Sequence, residues 1–177
     1  MARSKSDISN HTIRIFLQMV GKFYDEKRGY KPFSKSKKNI SELLATFDNQ
    51  CCFCNESIDD RSISLDHLIP TNKDSLGLNA WGNIVPSCSI CNHKKHSKNW
   101  EEYIASLTNL NSTEKNDNIK RIKKYLKDRN YNPNLELKEI ANNLYNDVGA
   151  VAQTLINLRY KQAEDKINNV FDDNVKL

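Results

Sequence analysis

The chain is poor in chain-breaking residues, with five glycines and four prolines in 177 residues. Four of these, Pro70, Gly77, Gly82 and Pro86, lie close together, so turns are concentrated in the middle of the chain. There is no run of 18 or more apolar residues, which excludes a membrane-spanning helix. The opening MARSKSDISNHTIRIF has no apolar h-region and no small-residue cleavage site, so no secretion signal is expected. A cytoplasmic, reducing setting follows, in which cysteines bind metal more often than they pair as disulfides. The cysteine count of five is odd, which argues the same way: four can close a metal site and leave one thiol over. Internal repeats and low-complexity tracts are also missing.

What is present suits a soluble globular protein, with 38% hydrophobic and 28% charged residues. The length suits one domain, or one small core with helical extensions. The formal net charge of +5 is unevenly spread. Residues 1–38 carry ten Lys and Arg against three Asp and Glu, residues 39–87 are net −5, and residues 112–130 are net +4. Two basic blocks thus flank an acidic middle. They read as a phosphate-contacting footprint or as solvated, lysine-rich helix faces.

Ile13, Phe16, Leu17, Val20 and Phe23 or Tyr24 recur at helical spacing and predict a helix over 8–25, with Asn10 as its cap. NISELLATF, 39–47, predicts a short helix starting near Asn39 or Ser41. From 51 to about 100 short strands alternate with turns. Helical periodicity then returns in WEEYIASL, in STEKNDNIKRIKKYLKDRN and in a long stretch from NPNLELKE to NNVF, bent at Gly149. The last carries Leu137, Ile140, Leu144, Val148, Val151, Leu155 and Leu158 as an apolar stripe. It is expected to pack on the body of the domain, or to form a dimer seam.

Cys51-x-x-Cys54 and Cys88-x-x-Cys91 form two ligand pairs. Each such turn points two thiolates at one point, and two turns close a tetrahedral sulfur site that suits Zn²⁺. A closed site leaves no position for substrate, so this zinc is expected to be structural. Cys52 lies inside the first turn, points away from the shared metal, and is expected to be a buried small hydrophobe or a free thiol. The chemistry must then sit between or beside the cysteines. In SISLDHLIP, Ile63 and Leu65 alternate with Ser62 and Ser64, a strand pattern ending at Asp66-His67. NIVP reads as a returning strand and CSICNHKKHSK as the start of a helix.

LDHLIP…GNIVPSCSICNHKKHSK resembles the HNH, or ββα-metal, nucleases, in the subclass whose finger is framed by two zinc-binding Cys-x-x-Cys pairs. His67 matches the first signature position, Asn83 the central Asn, and Asn92 the third, where the family has His or Asn. The resemblance covers residues 48–100; the flanks match no family. It implies an α+β architecture: a small ββα-metal finger stapled by a four-cysteine zinc site, flanked by N-terminal and C-terminal helices. The expected units are a basic arm over 1–47, a nuclease core over 48–108 and a helical region over 109–177.

The implied activity is a DNA endonuclease with one structural zinc and one catalytic Mg²⁺ or Mn²⁺, leaving 5′-phosphate and 3′-hydroxyl ends. Asp66 and Asn92 are oxygen donors of the kind such a cation prefers. His96, four residues after Asn92, is the alternative ligand. His67 can stay neutral near pH 7 and take a proton from the attacking water. The resemblance supplies a backbone carbonyl to orient its other ring nitrogen. Asn83 would tie the loop that holds His67, and Lys95, with Lys94 and Lys98 beside it, would contact phosphate. Duplex DNA is the expected partner. A double-strand cut by a one-site chain calls for a homodimer or sequential nicking. Restriction or phage defence is the expected setting. The competing readings are a non-catalytic zinc-finger binder and a nuclease subunit working with a defence-system partner protein.

Overall fold

The computed structural model describes residues 5–133 and 135–174. Residues 1–4 of the expected arm, Asn134 and the closing residues 175–177 lie outside the described residues. The elements run in order α1 (Lys5–Lys27), α2 (Lys37–Thr46), β1 (Ser64–His67), β2 (Ile84–Ser87), α3 (Ser89–Lys95), α4 (Trp100–Ser106), α5 (Ser112–Asp128) and α6 (Lys138–Asn174). The architecture is α+β. The two strands pair antiparallel, with Asp66 opposite Val85 and His67 opposite Ile84. No helix among the described residues is long and apolar enough to cross a membrane.

The first helix starts earlier than its apolar periodicity suggests, and Asn10 lies inside it rather than at its cap. The buried face begins at Ser9, whose Oγ donates to Tyr145 O at 2.9 Å, so the turn before Ile13 also belongs to the helix. The second helix is capped by Ser36, whose Oγ accepts from Asn39 N. That places its start ahead of Asn39 and Ser41. Helix α6 runs unbroken through Gly149.

Two apolar clusters hold these elements. One gathers Leu43, Phe47, Phe53, Ile84, Val85, Trp100, Ile104, Ile122 and Tyr125 around Cys51, Cys52 and Cys91. The other packs Ile13 and Leu17 of α1 with Leu78, Ala80, Tyr131 and Ala141, flanked by Leu137 and Leu144. The apolar stripe of α6 is therefore divided. Leu137 and Leu144 pack toward α1, whereas Ile140, Val151, Leu155 and Leu158 are 53%, 59%, 53% and 50% exposed.

The end of the β1–β2 loop is fastened by the flanks. Asp25 of α1 is fully buried, takes the backbone N–H of Phe33 at 3.0 Å and of Trp81 at 3.2 Å, and pairs with Arg28 at 2.6 Å. Arg28 also donates to Trp81 O at 2.9 Å. Tyr125 Oη of α5 accepts from Gly82 N at 3.2 Å and donates to Ile84 O at 3.0 Å. Gly82 has φ 93°, and a Cβ there would meet Tyr131 Cβ at 2.3 Å, so both conformation and space require glycine.

Asp25→Ala removes three acceptor contacts and leaves the Arg28 guanidinium buried without its counter-ion. The expected loss is about 3–5 kcal/mol, read as a lower urea midpoint. A loss under about 1 kcal/mol, the range of an exposed pair, would show that this tie does not hold the finger to α1.

Candidate metal centre and active site

The two Cys-x-x-Cys turns meet. The ligand sulfurs of Cys51, Cys54, Cys88 and Cys91 all lie within 4.8 Å of one another. Tetrahedral zinc with bonds of about 2.3 Å sets its sulfurs roughly 3.8 Å apart, and Cys54 Sγ and Cys88 Sγ are 3.8 Å apart. Cys88 is also the N-cap of α3, its Sγ accepting from Cys91 N at 3.4 Å. Hydrogen bonds from Cys54 and Cys91 pull the Cys51 thiol down, and bonding to Cys51 pushes Cys54 and Cys91 up. One thiolate therefore discourages the others, and a full set of four calls for a cation at their centre. Tyr103 Oη is buried beside Cys91 without a hydrogen-bond partner, and a thiolate there would give it an acceptor. The cluster fits a structural zinc. Cys52 stands outside it, fully buried, with its thiol pushed up by desolvation.

Helix α3 lies over β1 and forms a cleft at the strand's end. The cleft has a volume of about 250 Å³ and is lined by Asp66, His67, Asn92 and His96, with Arg14 from α1. Asp66 is 8% exposed. Its Oδ1 accepts from His67 N at 2.8 Å, and its Oδ2 lies 3.1 Å from Lys95 Nζ with no donor aligned for a hydrogen bond. Burial pushes the Asp66 carboxyl up, against the opposing pull of Lys95. Burial also pushes the His67 imidazole down, so the ring is neutral near pH 7.

The remaining donors are set by local bonds. His67 Nε2 pairs with Asn79 Oδ1 at 3.0 Å. With that oxygen accepting, Nε2 carries the proton of the neutral ring and Nδ1 the lone pair. Asn92 Nδ2 donates to Ser64 Oγ, and Asn92 Oδ1 has no hydrogen-bond partner among the described residues. Asn83 is fully buried; its Oδ1 accepts from Ile69 N at 2.8 Å, and its Nδ2 donates to Ile69 O at 3.0 Å and Leu78 O at 2.8 Å. One amide thus joins both ends of the loop behind His67. Gly77 allows that closure, since a Cβ there would sit 1.9 Å from Ile69 O.

Three expectations are corrected. Lys95 does not face phosphate: its side chain is fully buried, because α3 packs that face onto β1, and Nζ donates to His67 O at 2.7 Å. Lys94 and Lys98 remain exposed, with Lys94 lining the groove beside the sulfurs. His96 does not continue the helical face of Asn92, although it lines the same cleft as Asp66 and Asn92, so its place as the alternative ligand is not overturned. Helix α3 ends at Lys95, His96 takes φ 48°, and its Nδ1 pairs with Ser97 Oγ at 3.0 Å. Finally, the acceptor for His67 is the Asn79 side chain rather than a backbone carbonyl. Asn79 and Arg14 were not singled out in the sequence; Asn79 is one polar residue in a turn-rich stretch, and Arg14 stands in a helix remote along the chain.

Cys54→Ser is expected to remove the one zinc per chain and unfold the finger, whereas Cys52→Ala keeps it, as read by elemental analysis and far-UV circular dichroism. Loss of zinc from Cys52→Ala would contradict the ligand assignment.

Residues 51–98 match the family model described as HNH endonuclease, leaving α1, α2, α4, α5 and α6 outside the match. No curated protein matches the chain. The match spans both cysteine pairs and Asp66, His67, Asn83 and Asn92. Residues 51–98 are therefore an HNH endonuclease domain, and its four-cysteine site agrees with the zinc-framed subclass.

Proposed function

We propose that the chain is a metal-dependent DNA endonuclease in which His67 is the general base. The observation that carries this is the state of its ring. Burial keeps it neutral, Asn79 holds Nε2–H, and the Nδ1 lone pair is left for a proton of the attacking water. Asp66 Oδ2 and Asn92 Oδ1 lack aligned partners in the same cleft and suit Mg²⁺ or Mn²⁺. A divalent ion there supplies charge neutralisation at the phosphate and help for the leaving oxygen. Lys95 steadies both Asp66 and the His67 carbonyl, and Asn83 keeps the supporting loop closed. Hydrolysis leaves 5′-phosphate and 3′-hydroxyl ends.

Duplex DNA is the substrate that the two basic blocks suit best. A double-strand cut takes two copies of a one-site chain, and the exposed Val151, Leu155 and Leu158 offer a surface for a homodimer or a defence-system partner. We place the protein in the cytoplasm, as a restriction or phage-defence nuclease, where reduced thiols keep their metal.

Wild type is expected to cut plasmid DNA with added Mg²⁺ or Mn²⁺. His67→Ala should keep its zinc and lose at least about 10²-fold in rate. Cleavage by His67→Ala at the wild-type rate sinks the assignment. Absence of cutting by either protein, with binding retained, would favour the non-catalytic zinc finger or the partner-dependent subunit.

The pH profile gives a second check. His67 works deprotonated and its pKa is lowered by burial, so activity should persist below the ordinary imidazole value of about 6.5 and fall only as pH drops through the lowered value. An acid limb above about 7 would exclude His67 as the base.

A further inference from the structure

We propose that the segment before the finger completes the active site: Arg14 of α1 binds the scissile phosphate in the His67 cleft, and Lys35, between α1 and α2, binds a neighbouring phosphate on the other side of the ring. This rests on the nuclease reading, and it adds two cations from outside residues 51–98.

Arg14 lines the cleft with Asp66, His67 and Asn92. It is exposed and has no hydrogen-bond or ion-pair partner among the described residues. Three arginines of the helical flanks are engaged, by contrast: Arg28 with Asp25, Arg121 with Asn55 and Asn118, and Arg129 with Glu42. The one carboxylate lining the cleft, Asp66, is already paired with Lys95. The Arg14 guanidinium is thus left for an incoming anion, and its planar fork matches two oxygens of one phosphate.

The helix that carries it is held in place. Ile13 and Leu17, on either side of Arg14, are buried at 1% and 0% exposure. Two turns on, a Cβ at Gly21 would lie 2.6 Å from Asn79 O, so the α1 backbone rests directly on the residue that orients His67. Gln18, one turn after Arg14, lines a second cleft of about 300 Å³ with Lys35, Asn79 and His67. The polar face of α1 therefore passes His67 from one cleft to the other. Lys35 is exposed and also has no hydrogen-bond or ion-pair partner among the described residues. A strand crossing His67 meets a cation on each side.

The test compares wild type, Arg14→Gln, Arg14→Lys, Lys35→Gln and Lys22→Gln. Lys22 is an exposed cation of α1 that lines neither cleft and controls for net charge. Zinc content and circular dichroism confirm the fold of each. Cleavage kinetics are measured on a duplex oligonucleotide with Mg²⁺. Binding of that duplex is measured across a salt series without added divalent metal. Arg14→Gln is expected to lower kcat by about 10²-fold with a smaller rise in KM, as for loss of one donor to developing charge. Arg14→Lys recovers part of this. Lys35→Gln mainly raises KM. Arg14→Gln and Lys35→Gln each lower the slope of log binding constant against log salt by about 0.9, one phosphate contact, and Lys22→Gln does not. Wild-type kinetics and slope in Arg14→Gln, with cutting by wild type, would overturn the proposal and leave the nuclease reading standing. Absence of cutting by wild type, with the slope still falling in Arg14→Gln, would keep the phosphate site and remove the nuclease reading. Absence of both cutting and binding would remove both.

Discussion

Four sulfurs drawn within 4.8 Å of one another are the constraint on which the finger depends. Its two strands have four residues each, and a lone two-stranded ribbon of that size is marginal in water. The sulfur cluster joins the turn before β1 to the turn after β2, so the ribbon is closed from outside by the ligands. Cys88 adds a second consequence. As ligand and N-cap together, it fixes where α3 begins. That start sets the turn that carries Asn92 and Lys95 over β1. A metal held by these sulfurs would therefore contribute folding free energy, and the order of the cleft at the end of β1 would descend from it.

The loop between the strands has a different support. It has no regular structure, so its backbone groups must find other partners. Asn83 joins its two ends, and Asp25, Tyr125 and Tyr131 take the N–H groups of Trp81, Gly82 and Leu78. Two of these helpers lie in or beside α5 and one lies in α1. The flanks thus act as a clamp on the loop that carries Asn79. Burial then separates the two titratable groups at the end of β1. The carboxyl of Asp66 is pushed up and Lys95 opposes the shift, while the imidazole of His67 is pushed down toward its neutral form. One buried lysine, bonded to the His67 carbonyl and beside the Asp66 carboxylate, serves both.

The sequence by itself determined the four-cysteine cluster, the pairing of β1 with β2 and the placing of Asp66 and His67 at a strand end. These are local features. Cys-x-x-Cys spacing aims two thiols at one point, period-two alternation marks a strand, and neither needs knowledge of remote packing. Helix boundaries were legible only in part: Ser36 capped α2 ahead of Asn39, and Ser9 joined the buried face of α1 through a bond to Tyr145. Tertiary structure alone decided which way Lys95 points, which group accepts from His67, and that Arg14 stands at the cleft. Each depends on how segments far apart in the chain meet. Lys95 turns inward because α3 packs on β1, and α1 lies against Asn79 because Gly21 lets the two backbones touch. A sequence records local geometry directly, but it records such meetings only through the summed packing of the whole fold.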